Sequence, residues 1–401
     1  MPLPTPFHTR TAPLCESHSW RDWSGYLSPS MYELSFEREY WAIRNAAGVI
    51  DISPLFKYDI IGPDAEAMLN RTVTRDMRRC RVGQVFYTPW CDETGDMRHD
   101  GNIIRIAADH FRVTTADPML RWFEDCGYGM DVTITDVSTR YAALALQGPN
   151  SRAILKQLTA NLDLDTLRYF RMGMGIINEL EVMITRTGFT GDLGYELWVE
   201  AQHAEALWDS LMRVGRAYGL LPFGLTVLDM VRVEAGLLLI EVDYISSNHA
   251  VLDGQKSNPL EAGLDWAVNF DKGEFIGRKP LLADQERGPE WQFVGLEVDW
   301  AELERLWATV DLRPKVVYRT TSRESVPVYR GGTNGRLQIG QATSHLFSPL
   351  LKKYIALATL KTPDATLGSE VDLEMTVEYS RVLAKAQVVQ LPFFNPSRKR
   401  E

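Results

Sequence analysis

The stretch "TRTGFTGDLGYELWVE", residues 185–200, sets Gly188, Gly191 and Gly194 three apart and carries two carboxylates, Asp192 and Glu196. Glycine loops of this density commonly cradle phosphate, which needs a strand before the loop and a helix N-terminus facing the anion after it. Upstream, "LEVMITRT" alternates as a strand does. Downstream, "YELWVE" does the same, with Tyr195, Leu197 and Val199 opposing Glu196, Trp198 and Glu200. No Gly-Lys-Ser/Thr follows, and acidic side chains have the wrong sign for phosphate. The pattern predicts a glycine-rich hairpin that presents carboxylates. Metal and disulfide chemistry find no comparable pattern. Cys15, Cys80, Cys91 and Cys126 form no C-x-x-C pair, and the seven histidines show no H-x-x-x-H spacing. Reduced thiols in a cytoplasmic protein without a bound metal are expected.

The elements around the hairpin set its context. "EREYWAIRNAAGVID" has helical periodicity, "FKYDIIG" reads as a strand, and "PDAEAMLNRTV" as a helix opened by Pro63 and Asp64. "GQVFYTPWCDETGDMRHDGNIIRIAADHFRVTTA" contains three alternating segments. Helix "DPMLRWFEDCG", strands "DVTITDVS" and "YAALALQG", and helix "PNSRAILKQLT" follow, and the rhythm recurs through the hairpin and "HAEALWDSLMRVGRAYG". This gives two similar α+β halves and disfavours a doubly wound nucleotide fold. From a Gly/Pro junction near residues 284–292, an all-β tail is expected. Its strands are "QFVGLEV", "VPVYR", "GRLQIGQATS", "KKYIALATL", "SEVDLEMT" and "AKAQVVQL", at sandwich or barrel spacing.

With 401 residues the chain is two to three domains long. A net charge of -10 argues against a general nucleic-acid or anionic-membrane binder. No apolar run approaches a membrane span, "AGLLLI" being the longest, and "MPLPTPFHTR" has no apolar secretory core.

"EYWAIRNAAGVIDIS", "GDMRHDGNIIRI", "RTGFTGDLGYE", "DMVRVEAGLLL", "NPLEAGLDWAVNF" and "LPFFNP" stand in the same order as in the aminomethyltransferase (glycine cleavage T-protein) superfamily, which the chain resembles over nearly its whole length. The members are tetrahydrofolate-dependent one-carbon transferases and demethylases. The resemblance implies an α+β fold: a cloverleaf of two related α+β domains plus a C-terminal β-barrel around a central folate funnel. Residues 1–285 would form the folate-binding region, its two subdomains not necessarily continuous, and 286–401 the barrel.

The resemblance also implies the site. Glu196, last residue of the hairpin motif, would bind the pterin, whose 2-amino group and ring N–H form a donor pair that a carboxylate matches. The glycines would let backbone and ring approach closely. Asp100 falls at the catalytic aspartate, where a carboxylate stabilises positive charge on the reacting amine or relays its proton. His99, in place of a first aspartate, should point to the other face of the strand, at the surface or behind the site. Tyr87, Phe170, Phe189 and Trp266 match positions that line the pterin pocket. Arg232 and Glu234 read best as an internal salt bridge holding their helix.

Two positions depart from the T-protein pattern. Leu228-Asp229 replaces an Arg-Asp whose arginine contacts folate, and Ala116 replaces a strand asparagine. These departures favour transfer of a methyl group from a small N-, O- or S-methylated substrate to tetrahydrofolate. The alternatives are a T-protein aminomethyltransferase acting on a lipoylated carrier protein and, from another class, a non-catalytic folate-binding iron–sulphur maturation factor. That last group has Lys-Gly-Cys-Tyr-x-Gly-Gln-Glu where this chain reads "RTGFTGDLGYE". The aromatics of "HSWRDWSGYLSPSMY" either face a methylated substrate or belong to the first domain's core. No flavin fingerprint occurs, so any oxidation would need a partner protein.

Overall fold

The structure is a computed structural model and describes residues 1–331 and 336–401. The chain forms two compact units, one of Met1–Thr88, His99–Val231 and Asn395–Glu401, the other of Pro89–Arg98 and Arg232–Phe394.

The first unit is built on a six-stranded sheet ordered Met172–Ile177, Leu180–Thr185, Gly194–Glu200, Tyr141–Gln147, Ala47–Asp51, Leu220–Pro222. Its middle strands are near-continuous apolar runs, and Ala142, Leu144 and Leu146 enter one core with Leu197, Val199 and Ile184. Helices Ser151–Leu158 and Ala204–Gly215 cover that core through Ile154, Leu155, Leu207 and Leu211, spaced as one helical face requires. A five-stranded sheet follows the order Val85–Cys91, Met97–Ala107, His110–Thr115, Phe56–Ile61, Thr133–Asp136. "EREYWAIRNAAGVID" proves to be two elements, helix Glu37–Asn45 and strand Ala47–Asp51. The helix stops where Ala46 leaves helical geometry, and Val49 and Ile50 are β-formers buried on both faces of the sheet.

The second unit contains a closed barrel ordered Trp291–Val298, Lys353–Lys361, Leu337–Ser348, Val326–Arg330, Glu370–Val377, Ser380–Val389. Inward side chains keep period two along Trp291–Val298 and Ser380–Val389, as in Val294, Leu296, Val298 and Ala384, Ala386, Val388, while a register shift between Ala342 and Ser344 breaks it in Leu337–Ser348. The expected tail was all-β, yet Trp300–Ala308 is a helix. Its Leu303, Leu306 and Trp307 plug the barrel core at spacings three and four, a period no strand supports. Gly335, first residue of the expected strand "GRLQIGQATS", lies outside the described residues. The four cysteines are buried free thiols. Among the described residues no helix is long and apolar enough to cross a membrane.

Candidate functional site

The hairpin forms as its alternation requires. Strands Leu180–Thr185 and Gly194–Glu200 pair antiparallel, with Thr185 opposite Glu196. Thr185 Oγ1 donates to Glu196 Oε2 at 3.4 Å and lies 2.6 Å from Thr187 Oγ1. Burial pushes the Glu196 carboxyl up to about 7, against the pull of the Thr187 and Thr185 hydroxyls. The residue nevertheless keeps intermediate exposure. Its carboxyl group is therefore reachable but poorly hydrated, and among the described residues no cation offsets its burial. That environment fits a ligand bringing a neutral pair of N–H donors, as a pterin does.

The glycines have a different reason from the one expected. A Cβ on Gly188 would lie 2.1 Å from Gln147 Oε1, and one on Gly194 2.2 Å from the same atom. The buried Gln147 amide fills the hairpin, accepting from Thr190 Oγ1 at 2.8 Å and donating to Thr187 O at 3.4 Å. Only Gly191, at φ +75°, needs glycine's conformational freedom. The outer glycines thus make room for the Gln147 amide. Gly194→Ala should destabilise the protein by about 1–3 kcal/mol through overpacking. Thermal melts check this, and Gln147→Ala in the same chain should recover part of the loss.

Asp192 also has a structural role. Its buried carboxylate accepts from Arg398 Nε and Nη2 at 2.6 and 2.7 Å.

Asp100 and Tyr87 meet directly. The Tyr87 hydroxyl hydrogen-bonds the Asp100 carboxylate, and burial, then that charge, pushes the phenol well above its usual range. Tyr87 is thus a partner of the expected catalytic carboxylate as well as a ring. His99 is 1 % exposed and so not at the surface. Its Nε2 accepts from the Asp117 N–H at 3.0 Å, and its Nδ1 lies against the Asp100 main chain. It braces the strand behind Asp100.

Phe170 joins the two halves of this arrangement. Val85 N–H donates to its carbonyl at 3.0 Å, two residues before Tyr87, and its own N–H donates to Arg186 O at 3.0 Å. It sits at φ +57°, a genuine outlier for a bulky residue, with its ring 4.6 Å from that of Tyr169. Such strain, on the order of 1–3 kcal/mol, collects at functional sites. Phe189 is half-exposed in the hairpin loop. Trp266 belongs to the second unit, on the turn Asp265–Ala267, and is 59 % exposed. The structure therefore gathers Tyr87, Asp100, Phe170 and the hairpin within one unit, and Trp266 is not part of that unit.

Arg232 and Glu234 both hold structure through buried partners in the second unit. Arg232 pairs with Asp243 and donates to Ser344 Oγ at 2.7 Å, while Asp243 accepts the Thr343 and Ser344 hydroxyls at 2.7 Å each. Glu234 accepts the Ser348 hydroxyl at 2.6 Å.

The N-terminal aromatics divide. Tyr32 and Tyr40 are core, at 2 % and 0 % exposure. Trp20, Trp23 and Tyr26 remain partly exposed on a hairpin, Trp20–Trp23 with Tyr26–Pro29, whose turn residue Ser24 donates to Ala116 O at 3.1 Å. Sequence reasoning passed over Gln147, Thr185, Thr187 and Arg398. Gln147 left one signal, a lone amide closing the apolar run "YAALALQ".

The chain is similar to known proteins along most of its length. Residues 10–272 match the GCVT N-terminal domain model, and 309–395 the glycine cleavage T-protein C-terminal barrel domain model. The chain is 32% identical over 386 residues to an aminomethyltransferase of Halothermothrix orenii, covering 95% of this chain and 96% of that protein. It is 31% identical to a trimethylamine-oxide aldolase of Ruegeria pomeroyi, over 99% of this chain but 47% of that protein. The crystal structure of the glycine cleavage system aminomethyltransferase T from Bartonella henselae superposes with a TM-score of 0.81 over 98% of this chain and 99% of that one, at 24% identity, a likeness of fold. The chain belongs to the glycine cleavage T-protein family of tetrahydrofolate-dependent one-carbon transferases.

Proposed function

We propose that this enzyme transfers an aminomethyl carbon from a lipoylated carrier protein to tetrahydrofolate, releasing ammonia. The observation that carries the folate part is the Glu196 recess, where a carboxyl raised to about 7 by burial has only hydroxyl partners among the described residues. Tetrahydrofolate, when bound, supplies the amine nitrogen that takes up the carbon. Glu196 would accept its pterin N–H pair, and Phe170 and Phe189 would face the ring. Asp100, oriented by the Tyr87 hydroxyl, would hold negative charge where the reacting amine becomes positive. Full-length relatives bearing the aminomethyltransferase name shift the balance toward this donor and away from a small methylated one.

The second reading, methyl transfer from a small N-, O- or S-methylated compound, is favoured by Leu228 and Ala116, apolar where T-proteins place polar folate contacts. The match to a trimethylamine-oxide aldolase points the same way.

Tetrahydrofolate should raise the melting temperature, as a ligand selective for the native state must. Absence of both a thermal shift and a calorimetric heat would sink the folate reading. Product analysis separates the donors. A carrier bearing an aminomethyl group on its dihydrolipoyl sulfur should yield methylenetetrahydrofolate, ammonia and the free dihydrolipoyl carrier, whereas 5-methyltetrahydrofolate formed from a panel of methylated compounds, with no carrier reaction, would favour the second reading.

A further inference from the structure

Residues 397–401 follow the second unit in sequence but belong to the first, where they grip the hairpin loop near both ends. At the loop's start, Arg186, 2 % exposed, donates from Nη1 to Leu167 O and Glu401 O at 3.0 Å each, and from Nη2 to Lys399 O at 3.2 Å. Near its end, Arg398 forms the bidentate pair with Asp192, whose side chain is fully buried. Arg44 adds a third hold, donating to Thr190 O at 2.9 Å and standing 3.8 Å from Asp192 Oδ2. The Lys399 ammonium lies 5.6 Å from the centre of the Tyr169 ring, and that ring meets Phe170 edge-on.

We propose that residues 397–401 are a strap that sets the position of the loop bearing Phe189 and leading to Glu196, with Arg398 as its positioning residue. The inference rests on the folate reading of that hairpin. Gln147 fills the loop from within the sheet, and the strap closes its outer side. Removing Arg398 leaves a buried carboxylate held by the Leu193 N–H and the more distant Arg44, so the loop opens locally while the sheet beneath it stays folded.

The test uses the full chain with Arg398→Ala, Arg398→Lys and Asp192→Asn. In Arg398→Ala, amide exchange at 186–196 should accelerate about tenfold or more, with barrel amides unchanged. Tetrahydrofolate affinity should fall about tenfold as preorganisation is lost, while turnover at saturating folate stays within about threefold. Lysine, which keeps the charge but not the fork, should give an intermediate result. If Arg398→Ala does not fold, Asp192→Asn breaks the same pair and is read in the same way. A lowered melting temperature with unchanged loop exchange and unchanged folate affinity would overturn the strap. Failure of the parent protein to bind folate would instead strike the functional reading, and the exchange measurement still decides the strap.

Discussion

Asp100→Asn should cut turnover by about a hundredfold or more while tetrahydrofolate binding survives. Asparagine keeps the shape and one acceptor but removes the charge. Only interactions that strengthen as the reacting amine becomes positive act on rate, so the loss should appear in single-turnover kinetics and not in folate titrations. The Tyr87 hydroxyl, which hydrogen-bonds this carboxylate, supplies an internal control. Tyr87→Phe keeps the ring and frees Asp100 to rotate, so its rate loss should be smaller, and in Asp100→Asn the second change should add little. An Asp100→Asn enzyme as fast as the parent would remove Asp100 from the mechanism, and equal losses of binding with unchanged chemistry would make it only another folate contact.

Glu196→Gln should act on the opposite quantity. An amide offers the pterin a donor where it needs an acceptor, and losing one charged hydrogen bond costs roughly 1.5–3 kcal/mol, or about ten- to a hundredfold in affinity. Turnover at saturation should change less. The raised carboxyl adds a pH signature. Because Glu196 titrates near 7 in the folded protein, folate affinity should weaken as pH falls through about 7 in the parent and stay flatter in the variant. Stability moves the other way. The folded carboxyl holds its proton more tightly than the unfolded one, so the ligand-free protein loses stability as pH rises from the ordinary carboxylate range through about 7. The glutamine variant escapes that loss and should melt higher than the parent at pH 8 while binding folate worse. A variant that lost stability and affinity together at pH 8 would show that Glu196 is a structural carboxylate.

The strands and helices that position these residues were legible where burial imposes a period. The barrel is the clearest case, since inward positions alternate along Trp291–Val298 and Ser380–Val389. Helix Trp300–Ala308 was not, because nine residues beside a strand give few turns of periodicity and its partners lie across the barrel core. For the candidate site, Asp100 and Glu196 come from a resemblance, and no local pattern could report that Tyr87 reaches Asp100 or that Phe170 has positive φ. Both follow from pairings between distant segments. Asp192 was misleading for the same reason: its counter-charge, Arg398, stands 206 residues away.

The Gln147 amide has a consequence for tracing descent. Because it occupies the space that Gly188 and Gly194 leave open, any lineage that keeps this glutamine must keep both glycines, whether or not it still handles folate. The two outer glycines therefore record how the hairpin is assembled. A sequence in which positions 147, 188 and 194 survive and the carboxylate at 196 has drifted would keep the hairpin's packing without the acceptor proposed for the pterin.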